Sequence, residues 1–264
     1  MSSILRPTAA QRTRRLIVLI TAIFAVVIGQ GQIALGWGQT AGEFAADSDA
    51  TLRVIGWAFA IWGLIYLGMI AYAVRQALPK TGESDLIQAF GWPSAAAFSG
   101  IGLWIVAAAL DWELATIVLI FGSLLVLLTP LLVKARSIRT LPIGDRDRWL
   151  TVWPLSLLAG WLTIAAPVNL ITVLTGNGGL PTVLTPTAWA IAAVVLVGVV
   201  AIAVTYRIRT LAYALPIVWG LVGVFVAEQS RNGTLAFTAA IVAVGVLVAV
   251  VVLTLAERRR VERG

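Results

Sequence analysis

The chain consists of long apolar runs separated by short polar or basic segments. Eight runs are each about 17 to 25 residues long, which is the length that an α-helix needs to cross a bilayer. Within each run the apolar residues are continuous and do not alternate with polar ones, which favours helices over a membrane β-barrel. The sequence therefore predicts an all-α polytopic membrane protein with about eight transmembrane helices, at residues 16–37, 54–74, 92–110, 114–133, 150–174, 189–206, 211–227 and 235–256.

The first apolar run has a second interpretation, because a basic segment at residues 1–15 precedes it, as in a secretory signal peptide. The run is long for a signal peptide, however, and no clear small-x-small cleavage site follows it. We therefore expect a retained first helix.

The basic residues indicate how the helices are oriented, since cytoplasmic loops are enriched in lysine and arginine. With the first segment inside, all of the 19 basic residues except Arg53 and Arg231 fall in inner segments. We expect an integral protein of a bacterial cytoplasmic membrane, with both termini and a basic tail at 257–264 in the cytoplasm. This topology accounts for the net charge of +7, so we expect the lipid bilayer, and not nucleic acid, as the partner.

Composition excludes several kinds of chemistry. The chain is 60% hydrophobic and 12% charged, and it has no cysteine and no histidine, so thiolate catalysis, zinc sites and iron–sulfur clusters lack their ligands. No ionisable residue lies near the middle of a predicted span, which argues against an ion pump. No nucleophile has a base at helical spacing. We expect no catalytic residue, no bound metal and no enzymatic activity.

Four of the eleven tryptophans lie too deep in their spans to belong to the interfacial belts that membrane tryptophans usually form. They are Trp62, Trp104, Trp161 and Trp219. Each one alone is typical of a packed ring, but several together favour a cavity. Polar Gln30, Gln32 and Asn169 also lie in outer halves of helices, and they could face this cavity or form hydrogen bonds between helices. The sequence leaves both interpretations open.

The fifth span has the clearest candidate face. Trp161, Ala165 and Asn169 are spaced i, i+4 and i+8, so they share roughly one side of a helix. On the second span, Trp62 and Tyr66 share a face in the same way. These residues predict a pocket that opens outward.

The same residues carry a resemblance to a known family. The segment 57–69, WAFAIWGLIYLGM, resembles the second helix of the tryptophan-rich sensory protein family (TspO/MBR), which includes the translocator protein. Trp161-x-Thr163-x-Ala165-x-x-x-Asn169 is similar to the fifth-helix pattern of that family. The chain also departs from the family pattern. The family usually has an asparagine a few residues before the third-helix tryptophan, whereas here Ser99-Gly100-Ile101 precede Trp104.

The resemblance implies a five-helix bundle at residues 16–175, followed by three additional helices at 176–256 that have no counterpart in five-helix members. It also implies a ligand pocket that binds porphyrins, related tetrapyrroles or sterols. Transferred by position, the ligand-binding residues would be Trp62, Tyr66, Trp104, Trp161, Ala165 and Asn169, and we add Gln30 from its depth. Any tetrapyrrole would be held non-covalently, without histidine or cysteine as an iron ligand.

These observations support three functional hypotheses. The first is a membrane receptor or transporter for a flat hydrophobic small molecule, with a tetrapyrrole as the expected ligand. The second is a structural or assembly protein whose small-residue helices dock onto partner subunits, and a homo-oligomer is possible as well. The third, which the residues favour least, is an enzyme that degrades such pigments.

Overall fold

The computed structural model describes residues 7–78 and 80–261, with side chains described as far as Thr254. Parts of two predicted segments, residues 1–6 and 262–264, lie outside the described residues. Ten α-helices occur in the described ranges: α1 (Ala9–Leu35), α2 (Ala41–Asp47), α3 (Ile61–Ala77), α4 (Asp85–Ala109), α5 (Glu113–Val133), α6 (Ala135–Arg139), α7 (Trp153–Gly176), α8 (Pro186–Ile208), α9 (Leu211–Glu228) and α10 (Gly233–Val261).

Eight helical segments of the described chain are long and apolar enough to cross a membrane, as the sequence predicted. They are Ala9–Leu35, Gly56–Ala77, Asp85–Ala109, Glu113–Val133, Arg148–Gly176, Pro186–Ile208, Leu211–Glu228 and Gly233–Thr254. Two of them begin with a different helical turn: a 3₁₀ turn at Gly56–Ala60 leads into α3, and a π turn at Arg148–Val152 leads into α7. The protein is therefore an all-α integral membrane protein.

The third membrane helix begins seven residues earlier than the sequence predicted, at Asp85 and not at residue 92. Ser84 caps this helix, because its hydroxyl accepts a hydrogen bond from the Ile87 N–H at 3.1 Å. The additional turns are less apolar overall, which obscured them. Their buried residues Leu86 and Phe90 nevertheless pack into the core.

Helix α7 occupies the centre of the protein. On one side it contacts α3 and α5, while α1 packs on α3 and α4. On the other side it contacts α9, against which α8 and α10 pack. Within the membrane-length segment Arg148–Gly176, 72% of the residues of the apolar stretch are buried. This burial explains why α7 can carry polar and aromatic residues that a lipid-facing helix would not.

Glycines allow α7 and α9 to approach each other closely. A Cβ atom at Gly160 would collide with the main-chain carbonyl oxygen of Tyr213, and one at Gly220 would lie 2.9 Å from Ile164 Cγ2. Beside the first contact, the hydroxyls of Thr163 and Tyr213 form a hydrogen bond of 2.7 Å. The last three helices thus pack directly on the first five.

Small residues of the last three helices face inward in part. Gly198 of α8 packs against Val242 of α10, and Gly223 of α9 packs against Val54 and Ala58 ahead of α3. These close approaches lie inside the protein. The corresponding glycine faces are therefore already occupied by its own helices and are not free for a partner subunit.

One end of the bundle is held by buried ion pairs. Glu83, in the connection between α3 and α4, accepts hydrogen bonds from Arg14 at 2.5 Å and from Arg15 at 2.7 Å. Arg15 also donates to the main-chain carbonyls of Gln76, Thr81 and Gly82. The first helix is tied to the start of α4 by these contacts, at the end that we predict to be cytoplasmic.

The opposite end carries α2, and we call it the α2 end. Here Asp49 forms ion pairs with Arg53 at 3.0 Å and with Arg231 at 2.9 Å. Buried Glu228, at the end of α9, accepts the Arg53 N–H at 3.2 Å and pairs with Arg231. These contacts attach the segment that leads into α3 to the last three helices.

Candidate functional site

Two adjoining spaces lie among the first five membrane helices at the α2 end. The first is a cavity of about 40 Å³, which holds no more than a few water molecules. We call it the inner cavity, and it is lined by Ala41, Phe44, Ala45, Val54, Phe59, Trp62, Ile101, Trp104, Ile120, Trp161, Leu162, Ile164, Ala165, Val168 and Asn169.

The second space is larger and lies between α1, α2, α3 and α4. It has a volume of about 590 Å³, which is in the range of small-molecule sites. We call it the outer groove, and it is lined by Gly29, Gln30, Gln32, Ile33, Thr40, Ala41, Gly42, Glu43, Ala46, Gly56, Phe59, Ala60, Trp62, Tyr66, Trp104 and Ile105.

Phe59, Trp62 and Trp104 line both spaces, and we call these three residues the aromatic wall. The rings of Trp62 and Trp161 meet edge to face at 6.4 Å and 82°, and those of Phe59 and Trp161 at 5.8 Å and 86°. On the groove side, the Trp62 ring lies 5.3 Å from the Tyr66 ring with a tilt of 32°. Phe59 and Trp62 thus pack on Trp161, and Trp62 also packs on Tyr66.

The structure divides the predicted ligand-binding residues between these spaces. Gln30 and Tyr66 line only the outer groove, whereas Trp161, Ala165 and Asn169 line only the inner cavity. Trp62 and Trp104 contact both. The predicted residues are therefore neighbours that line two adjoining spaces.

Asn169 joins three helices by hydrogen bonds. Its Oδ1 accepts the indole N–H of Trp104 at 3.0 Å, and its Nδ2 donates to Thr116 Oγ1 at 3.0 Å. The Thr116 hydroxyl in turn donates to the Glu113 carbonyl oxygen at 2.6 Å. Of the two interpretations that the sequence left open, interhelical bonding is realised here, and the side chain also lines the inner cavity.

Gln32 makes local contacts. Its amide donates to the carbonyl oxygens of Trp37 at 2.8 Å and Gly38 at 3.3 Å, just beyond the end of α1. It therefore stabilises the turn after its own helix and also lines the groove, so of the two interpretations that the sequence left open, Gln32 faces a cavity and makes no bond to another helix among these contacts.

Trp219 does not belong to this site. Its indole N–H donates to the Ala58 carbonyl oxygen at 2.8 Å, its ring meets that of Trp57, and 39% of the residue is exposed. Trp219 does lie near the middle of α9, but the position of a residue along a helix does not reveal which face of the helix carries its side chain. Trp219 joins α9 to the turn ahead of α3.

Sequence reasoning missed Phe59 and the whole of α2. Phe44 of α2 packs edge to face on Trp104 at 5.7 Å and 78°, and it lines the inner cavity. A signal for this helix was present in the sequence, because Thr40 and Glu43 form a capping box in which each side chain accepts the other residue's backbone N–H.

Glu43 is the acidic residue that lines the outer groove. Its carboxylate accepts a hydrogen bond from the Thr40 backbone N–H at 2.7 Å. This bond, and to a smaller extent the interaction with the Thr40 hydroxyl, holds the pKa of the Glu43 carboxyl below its ordinary value. The carboxylate is therefore ionised at neutral pH. In the described part of the chain, no three histidine, cysteine, aspartate or glutamate residues gather to hold a metal ion.

These features define the protein as a helical membrane protein with an aromatic site between its first five spans. The sequence pattern of the TSPO-like protein family matches residues 15–253, and the chain belongs to that family. The match runs through all eight membrane-length helices, beyond the five spans on which the resemblance rested. Searches of curated proteins and of solved structures gave no match.

Proposed function

We propose that this protein is a non-enzymatic receptor or transporter that binds a flat hydrophobic small molecule at its aromatic wall, within a bacterial cytoplasmic membrane. A tetrapyrrole is the ligand that we propose first. The observation that carries the proposal is the outer groove, which has room for a small molecule and is lined by the rings of Trp62, Tyr66 and Trp104. Flat aromatic ligands gain affinity by stacking on such rings.

Binding would begin in the outer groove, since the inner cavity of about 40 Å³ is far smaller than a small-molecule site. A ligand would contact the rings of Trp62, Tyr66 and Trp104 that line the groove, with the Tyr66 hydroxyl and the Gln30 amide available for orienting hydrogen bonds. Trp161, Ala165 and Asn169 line the inner cavity. They would contribute to a deeper, second position of the ligand.

Quenching of tryptophan fluorescence by protoporphyrin IX tests this function. The titration would compare the wild type with Trp62→Phe, Trp161→Phe and Asn169→Ala. Saturable quenching that weakens most in Trp62→Phe would support binding at the groove. Trp219→Phe is the matched control, because it removes a tryptophan outside the site and should leave the affinity unchanged.

Two outcomes would contradict the proposal. Quenching that rises linearly with porphyrin would indicate partitioning into the detergent or the lipid. Saturable quenching with the same affinity in all four variants would place the ligand somewhere other than the aromatic wall.

A further inference from the structure

We propose that the outer groove selects hydrophobic ligands by charge, and that it favours a ligand with a positively charged end over one with carboxylates. This inference rests on the proposed function, because it concerns the same groove. It narrows the class of ligand: a tetrapyrrole or other flat hydrophobic molecule that carries a cationic group, or whose carboxyl groups are esterified, is favoured over one with free carboxylates.

The lining of the groove has one sign of charge. Glu43 lies on its rim with the neutral amides of Gln30 and Gln32, and no lysine or arginine occurs among the described lining residues. A carboxylate of a ligand bound here would meet a like charge and no cation to pair with. An ammonium group would meet an opposite charge.

The charge of Glu43 is fixed in place by the capping box. One carboxylate oxygen accepts the Thr40 N–H at 2.7 Å, which positions the carboxylate at the start of α2. The residue is exposed, which leaves the carboxylate open to water and to a ligand at the rim. A fixed, ionised carboxylate next to an aromatic groove is a defined recognition element.

The surroundings of the groove have the same sign. The connections at the α2 end carry six acidic residues and two basic ones in the described chain: Glu43, Asp47, Asp49, Asp111, Glu113 and Glu228 against Arg53 and Arg231. Both arginines pair with Asp49. The summed field at this end therefore attracts cations and repels anions.

The aromatic rings add a second preference for cations. Trp62, Tyr66 and Trp104 line the groove together, and the faces of tryptophan and tyrosine rings attract ammonium groups. An anion would be repelled by these same faces. The wall and the rim thus favour the same charge on the ligand.

Three forms of one porphyrin ring test the inference: protoporphyrin IX with its two free propionates, its neutral dimethyl ester, and its diester with choline, which carries two quaternary ammonium groups. Each is titrated against the purified protein in zwitterionic-lipid nanodiscs by tryptophan quenching. We expect the dication to bind tightest and the dianion weakest. An exposed carboxylate about 7 Å from a ligand charge changes the affinity by about threefold to eightfold per unit charge, so the two extremes should differ by at least about tenfold.

Glu43→Gln is the decisive variant, because glutamine can replace glutamate in a capping box and α2 should persist. It should reduce the ratio of dication to dianion affinity by about tenfold, since one interaction is lost and one repulsion is relieved. Asp111→Asn is the matched control. It removes a carboxylate from the same end but outside the groove lining, and asparagine tolerates the positive φ of 58° at that position.

The outcomes separate the two proposals. If the dianion binds as tightly as the dication, or if Glu43→Gln leaves their ratio unchanged, the charge selection is wrong while ligand binding at the groove stands. If Asp111→Asn lowers the ratio as much as Glu43→Gln does, the selection belongs to the whole surface and not to the groove. If no form of the ring saturates, the proposed function fails and the charge selection fails with it.

Discussion

The hydrogen bond between Trp104 and Asn169 should couple α4 and α7 measurably. Both residues are buried, at 7% and 4% exposure, and the bond measures 3.0 Å. Asn169→Ala leaves the indole N–H without its partner, which costs about 1–3 kcal/mol in a buried site. Hydrogen bonds between helices in membranes average about 0.6 kcal/mol and reach about 1.7 kcal/mol. We therefore expect a coupling free energy of about 1 kcal/mol.

A double-mutant cycle measures this coupling. The variants are Trp104→Phe, Asn169→Ala and their combination, and the free energy of unfolding is followed by far-ultraviolet circular dichroism in mixed detergent micelles, since fluorescence changes with the tryptophan. The double variant should lose about 1 kcal/mol less than the sum of the single losses. As a matched control, Trp104→Phe is combined with Thr163→Val, because Thr163 lies on the same helix but bonds Tyr213.

Additivity within about 0.3 kcal/mol in the Trp104–Asn169 cycle would refute the reasoning, because two residues that share a buried hydrogen bond cannot be independent. Equal coupling in the control pair would also contradict it. The effect would then reflect a general loosening of α7 and not this bond.

Three other changes test the packing and the groove. Gly160→Ala should lower the free energy of unfolding by about 1–3 kcal/mol, because the added methyl group collides with α9. In the control Gly122→Ala, the added Cβ meets nothing within 4 Å, so the free energy of unfolding should stay the same or rise. Glu83→Gln should cost about 3–5 kcal/mol, because it leaves two buried guanidinium groups short of their anion, and equal stability at neutral pH would contradict this. Ala60→Leu should weaken porphyrin binding at least about fivefold by filling the groove without a change in melting temperature, and Leu67→Phe on the lipid face should not.

The number of spans could be predicted from the sequence for a physical reason. Lipid offers no hydrogen-bond partners to the backbone, so a continuous apolar run of membrane length has helix as its main option. The start of α4 was missed by seven residues because Asp85 and Gln88 make its first turns polar, although their opposite face is buried. Hydropathy measures a window average and does not separate the faces of a helix.

The candidate site could be predicted only in part. Trp62 and Trp161 were expected at one site from their depth and from the family resemblance, and their rings do meet. Trp219 has a similar depth but a different face, and depth alone could not distinguish the two cases. Whether Asn169 bonds a neighbouring helix or faces a cavity depends on which residues lie opposite, which one sequence does not specify.

The two phenylalanines of the site, Phe59 and Phe44, could not be predicted, because they depend on a connection. Phe59 lies in a 3₁₀ turn and Phe44 in a seven-residue helix between two spans, and both are positioned by tertiary contacts. The Thr40–Glu43 capping box marked the helix, but nothing local indicated that it would pack on α7 and α4 and line both spaces.

The central claim is that a flat hydrophobic ligand occupies the outer groove against Trp62 and Trp104. A crystal structure of the protein with zinc-substituted protoporphyrin IX dimethyl ester would test it most directly, because the anomalous scattering of zinc locates the ring. We predict one zinc peak between α1 and α3, beside Trp62. A bound ring elsewhere, for example in the apolar groove between α8 and α10 beside Tyr206, with the groove at Trp62 empty, would contradict the account.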